Sequence, residues 1–205
     1  GLYRRGTRTC KSGRFTAMDR GDMSSFMTTA QDFWVFGYGS LMWRPGFPFE
    51  EKQIAMVHGY HRSLCIYSHV HRGTQEVPGL VLGLDRGGSC QGVAFRVRAD
   101  NWDEVIAYLR EREQVTMIYL ETMLRVRLPD GQKVVAVAYV VDRQHQQYAG
   151  RLERDALIRF VRQGKGVSGD NPDYVLSTYD HLREIGVHDA TLAWLAKQLA
   201  VQTPV

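Results

Sequence analysis

The stretch LRVRLPDGQKVVAVAYVV, residues 124–141, restricts the fold more than any other. Alternating apolar and polar positions flank Pro129-Asp130-Gly131. The proline fixes φ, the aspartate bonds its own turn and the glycine accepts positive φ, so two strands must turn back on one another here. Strand-like runs recur upstream. FWVFGYG (33–39) is aromatic and β-branched and ends in glycine, and IAMVHGYHRSLCIYS (54–68) continues the pattern with a break at Gly59. GLVLGLD (79–85) and QGVAFRV (91–97) are predicted to form a hairpin across Gly87-Gly88.

Helical periodicity falls mainly later. A helix is predicted over 101–115, with Asp100 as N-cap and Asp103 in its first turn. A second covers 152–163 and is closed by Gly164. Asn171 is expected to cap a third, with Pro172 at its first position and Gly186 at its end, and Asp189 caps a fourth running to about Val201. Strands come first, one helix interrupts them and helices finish the chain. That order excludes a regular βαβ alternation and predicts an α+β fold with a mostly antiparallel or mixed sheet, closed into a small barrel.

Charge argues against nucleic acid. The 205 residues carry a net charge of +4, and residues 1–22 supply it, with six basic side chains against Asp19 and Asp22. The remainder holds 20 basic and 20 acidic residues, so it has no field that would gather phosphates. Residues 1–30 are expected to be a basic, flexible extension, and residues 31–205 a single domain. No apolar run is long enough for a membrane-spanning helix, and the opening residues lack the apolar core of a secretory signal. Three cysteines without close pairing (Cys10, Cys65, Cys90) fit a reducing, cytoplasmic setting.

Two features carry possible chemistry. Trp102, Val105, Ile106 and Leu109 form the inward stripe of the first helix, and one further turn lands on Glu113, whereas Glu111 points outward. A carboxylate on an inward face has its pKa raised by desolvation, which suits an acid/base group. Pairing with Arg112, or a place beyond the buried part of the helix, are equally open readings. The second feature is Gly37-Tyr38-Gly39-Ser40, where a strand breaks into a turn whose N–H groups can converge on a small anion or polarised carbonyl, although chemistry alone favours an ordinary glycine turn. Met42 stands where a dinucleotide loop needs its third glycine, and GKGVSG (164–169) is no phosphate loop because Ser168 does not directly follow Lys165. His58, His61, His69 and His71 cluster in sequence without suitably spaced carboxylate or cysteine partners, so no metal site is expected. Cys65 and Cys90 read as buried strand residues, and Arg62 as a structural partner of an acid, with binding of a ligand carboxylate as its alternative.

FGYGSLMW, HGYHRSLC, PGLVLGLDRGGSCQGVAFRV, REREQV and GVSGDNPDYVLSTYDHL, in that order from Phe33 to Leu199, resemble the ChaC-type, glutathione-specific γ-glutamylcyclotransferases. Leu64 stands where an aromatic is common, and Gln114 after the key glutamate is a second departure. The resemblance implies a small mixed β-barrel with flanking helices. It implies Glu113 as catalytic acid/base and the turn Gly37, Tyr38, Gly39, Ser40 and Leu41 as cradle for the γ-glutamyl group. Tyr119, just beyond the helix, and Tyr174, after Asn171, are placed to be further substrate contacts, with core packing the alternative for each. The resemblance implies glutathione as substrate, with no cofactor, metal, nucleic acid, membrane or protein partner. Other γ-glutamyl amines, or a non-catalytic binding role, are the alternatives.

Overall fold

The computed structural model describes residues 31–114 and 117–201; the expected N-terminal extension over 1–30 and the last expected residue of the first helix lie outside them. Five strands form a closed barrel: β1 (Phe33–Gly37), β2 (Glu51–Ser68), β3 (Gly79–Val97), β4 (Tyr119–Arg127) and β5 (Lys133–Val141). Their order is β1-β3-β2-β4-β5. Every pairing is antiparallel except β1 with β5, where Trp34 faces Ala136 and Val35 faces Val137. That single parallel seam makes the barrel mixed. Four helices flank it: α1 (Trp102–Glu113), α2 (Arg154–Gln163), α3 (Asn171–Ile185) and α4 (Ala190–Ala200). Between α2 and α3 a minimal hairpin joins β6 (Lys165–Gly166) to β7 (Gly169–Asp170).

The β4–β5 hairpin forms where turn chemistry places it. Gly131 has φ +89°, its N–H bonds to Leu128 O at 3.0 Å, and Asp130 Oδ1 accepts from Gln132 N at 2.8 Å. The second expected hairpin is absent. Residues 79–97 are one continuous strand paired along β2. Gly87 and Gly88 have the positive φ of a turn, but between the pairs His58↔Ser89 and Tyr60↔Arg86 they stand opposite Gly59 alone. They form a bulge that bends the ribbon without reversing the chain.

Two expected caps also differ. Asp100 lies in a single 3-10 turn and pairs with Arg98 at 2.8 Å, leaving Asn101 at the cap position without a side-chain bond. Asn171 is the first residue of α3, and its wholly buried amide clamps Leu80 instead, accepting from its N–H and donating to its carbonyl, both at 2.8 Å. Asp189 caps α4 as expected, accepting from Leu192 N at 3.0 Å, and Gly186 ends α3 at φ +86°.

The main core fills the barrel with Val35, Phe36, Phe95, Val126 and Ala136, and extends outward to Leu109 of α1 and Leu182 and Leu192 of α3 and α4. A second cluster of Cys65, Ile66, Ile118 and Val141 joins the far half of the β2–β3 ribbon to the ends of β4 and β5. Because β1 stops at Gly37 opposite Val93, residues 79–92 of β3 run past the end of the barrel. The site lies at that end.

Candidate active site

Beyond Gly37 the chain makes a 3-10 turn over Ser40–Met42, closed by Met42 N to Gly39 O at 2.9 Å. The N–H groups of Ser40 and Leu41 precede that first bond and have no partner within the turn. Gly37 lets the turn fold close, since a Cβ there would stand 3.0 Å from Leu41 Cβ and would push it back by a few tenths of an ångström. Two arginines hold the turn. Arg62, its side chain 4% exposed, donates from Nε to Tyr38 O (2.5 Å) and from Nη2 to Gln91 O (2.7 Å), and its Nη1 lies 3.5 Å from Asp189. Arg112 donates to Ser40 Oγ (2.8 Å), to Arg44 O (2.6 Å) and to the Tyr108 hydroxyl (3.0 Å). Ser40 therefore accepts from Arg112 and keeps its own proton to donate.

Glu113 closes α1, fixed there by the burial of Val105 and Leu109 on the same stripe. Its carboxylate is largely buried, while Glu111 is exposed. Arg112 Nε stands 3.2 Å from Glu113 Oε1, so the arginine pairing and the inward position occur together. Burial pushes the Glu113 carboxyl above the usual carboxylate range, and the Arg112 charge offsets only part of that rise.

Tyr38, Gly39, Ser40 and Leu41 surround a cavity of about 70 Å³ together with Glu113, Tyr119 and Tyr174. Of the expected site residues only Gly37 is set back from it. Phe36, Leu82 and Tyr139 complete the lining. Three of the four tyrosine hydroxyls have fixed partners. Tyr119 donates to Leu82 O (2.9 Å), Tyr174 accepts from Leu82 N (3.1 Å), and Tyr139 donates to Glu121 (3.1 Å), which Arg110 grips through both oxygens. Tyr119 and Tyr139 thus present acceptor lone pairs, and Tyr174 keeps a proton to donate. Burial raises all four tyrosine pKa values, Tyr174 to about 12, so these phenols stay protonated at neutral pH.

Sequence reasoning missed Leu82, because its contribution is main-chain polarity, and Tyr139, whose polar tip on an apolar strand was the available signal. Arg62 is structural as expected, and its target is the turn itself. Elsewhere His61 meets Gly87 O and His71 meets Ser168 Oγ, both at 2.9 Å. Among the described residues no three His, Cys, Asp or Glu side chains are grouped to hold a metal ion.

Comparison with known proteins matches this architecture. The chain is 33% identical over 156 residues to the glutathione-specific gamma-glutamylcyclotransferase of Escherichia coli K12, covering 76% of this chain and 68% of that protein. It is 33% identical over 180 residues to the human glutathione-specific gamma-glutamylcyclotransferase 1, covering 85% and 81% respectively. The crystal structure of a yeast gamma-glutamyl cyclotransferase specific to glutathione superposes with a TM-score of 0.71 at 20% identity, covering 83% of this chain and 98% of that one, which establishes the shared fold. The model of the ChaC-like protein family matches residues 33–202, and the chain belongs to that family.

Proposed function

We propose that the protein is an enzyme, a γ-glutamylcyclotransferase acting on glutathione, with residues 31–205 as its catalytic domain and Glu113 as its acid/base. The observation that carries this reading is a buried carboxylate of raised pKa sharing one small cavity with the Tyr38–Leu41 turn. The names of the relatives supply the substrate.

The α-ammonium of the γ-glutamyl group loses a proton to Glu113, and the freed amine attacks the γ-carbonyl carbon of the same molecule. Five-membered closure then breaks the amide C–N bond, Glu113 returns the proton to the departing nitrogen, and the ring nitrogen gives up its second proton, which the released amine takes up as its ammonium. The products are 5-oxoproline and Cys-Gly, formed by lyase-type cleavage without an attacking water. Nucleophile and electrophile belong to one molecule, so the protein has chiefly to hold the folded conformer. The fixed hydroxyls share in this, Tyr119 and Tyr139 accepting from the substrate ammonium while Tyr174 donates to the α-carboxylate. The N–H groups of Ser40 and Leu41 face the oxyanion of the tetrahedral intermediate, where one donor is worth about 3 kcal/mol. Among the described residues the buried thiols Cys65 and Cys90 form no disulfide, which supports a reducing, cytoplasmic compartment.

Incubating the purified protein with glutathione and analysing the products by mass spectrometry tests the reaction. Equal amounts of 5-oxoproline and Cys-Gly without free glutamate are expected. Free glutamate in place of 5-oxoproline would mean hydrolysis, and turnover of other γ-glutamyl amines alone would reassign the substrate.

A further inference from the structure

Leu82 also borders a second, much larger cavity of about 740 Å³. Its walls are the far halves of β2 and β3, the segment around Tyr148, and the N-termini of α2 and α4. Five arginines line it against three acids, and two of those acids are already committed. Asp85 accepts from Arg143 (2.7 Å) and from the Tyr148 hydroxyl (2.8 Å); Asp189 faces Arg62 and caps α4. Arg86, Arg151 and Arg154 remain, all exposed and in no ion pair among the described residues, with Glu153 as the one uncommitted acid. The first turn of the ten-residue helix α2 opens onto the same space without a side-chain cap, so its N–H groups add positive potential that Asp155, in the same turn, offsets only in part. Arg154 lies over the Trp194 ring at 5.0 Å, which restricts its guanidinium at the rim.

We propose that this cleft is a second, anion-binding site, taking a small carboxylate- or phosphate-bearing ligand between Arg86, Arg151, Arg154 and the open N-terminus of α2. Two sources offer that chemistry. One is the terminal carboxylate of the γ-glutamyl substrate reaching past the shared Leu82 wall, which rests on the function proposed above. The other is a separate anion. Arg62 touches both regions, bonding the Tyr38 carbonyl of the turn while lining the cleft, so occupancy has a direct route to the catalytic turn.

Titrating the full chain with inorganic phosphate, by calorimetry and by tryptophan fluorescence, tests the site. Saturable binding is expected, weakened at least about tenfold in the Arg151→Gln/Arg154→Gln double variant, as removal of charge-assisted bonds demands. Its fluorescence signal is expected to vanish in Trp194→Phe. Both arginines are exposed, so an unchanged melting curve will show that the double variant is folded. Phosphate binding that is absent, or equal in the double variant, overturns the proposal. The source is read from the full-chain Glu113→Gln variant titrated with glutathione. Displacement of phosphate identifies the substrate carboxylate, whereas simultaneous binding identifies a separate anion. If glutathione does not bind that variant at all, the substrate reading fails while the phosphate result stands.

Discussion

Two buried carboxylates lie near this end of the barrel, and they behave in opposite ways. Asp85, 4% exposed, is pulled up by burial, but Arg143, the Tyr148 hydroxyl and the Arg86 N–H outweigh that effect and hold it below the usual range. Glu113 is largely buried too, yet Arg112 alone answers it, and its pKa rises. Both groups are desolvated; the number of donors decides the sign. A carboxylate whose hydrogen bonds are complete is a structural anchor. One left short of donors remains ready to exchange a proton with a ligand, and that separates the candidate active site from the arginine-lined cleft beside it.

The sharpest way to break this contrast is on activity. Glu113→Gln keeps the shape and removes the exchangeable proton, so turnover is expected to fall at least about a hundredfold. Asp85→Asn is expected to keep turnover within a few-fold and to lose stability instead. Weakening the charge-assisted bonds to partly exposed Arg143 and to Tyr148 costs about 1–3 kcal/mol, read as a melting temperature lower by several degrees. A large activity loss in Asp85→Asn with unchanged stability would reverse the two assignments.

The pH dependence of stability sharpens the contrast further, because the signs differ. The raised pKa of Glu113 means that the folded state binds its proton more tightly than the unfolded chain does. Its penalty is absent well below the unfolded value, grows as pH rises through the unfolded and then the folded pKa, and persists at neutral pH. Glu113→Gln is therefore expected to match the wild type in acid and to melt at or above it at neutral pH. The lowered pKa of Asp85 contributes stability that is present above the unfolded value and is lost as pH falls through the folded one. Asp85→Asn should then approach the wild-type melting temperature only in acid. Identical pH profiles for the two variants would contradict the account. The smallest effect concerns residues 1–22, whose removal is expected to leave kcat and KM unchanged and to bring the pI near neutral.

How much of this was legible in the sequence follows from which interactions are local. Pro129-Asp130-Gly131 and the Asp189 cap were readable because the residues that form them are adjacent in sequence. Glu113 was readable through helical period, since Leu109 and Val105 fix the face on which it lies. Gly87-Gly88 was misread because positive φ serves a hairpin and a bulge equally, and only the partner strand, through Gly59, decides between them. Asn171 was misread as a cap because its bonds go to Leu80, far away in sequence. The hydroxyl polarity set by the Leu82 main chain and by Glu121 was invisible for the same reason: backbone groups that meet only in the folded barrel leave no mark on residue type.

The most direct test of the central claim is 5-oxoproline formation from glutathione by Glu113→Gln, measured together with glutathione binding to the same variant. The account predicts a folded protein that binds glutathione and forms 5-oxoproline at least about a hundredfold more slowly than the wild type. A variant that binds glutathione and cyclises it at a near-normal rate would contradict the account and move the proton transfer away from Glu113.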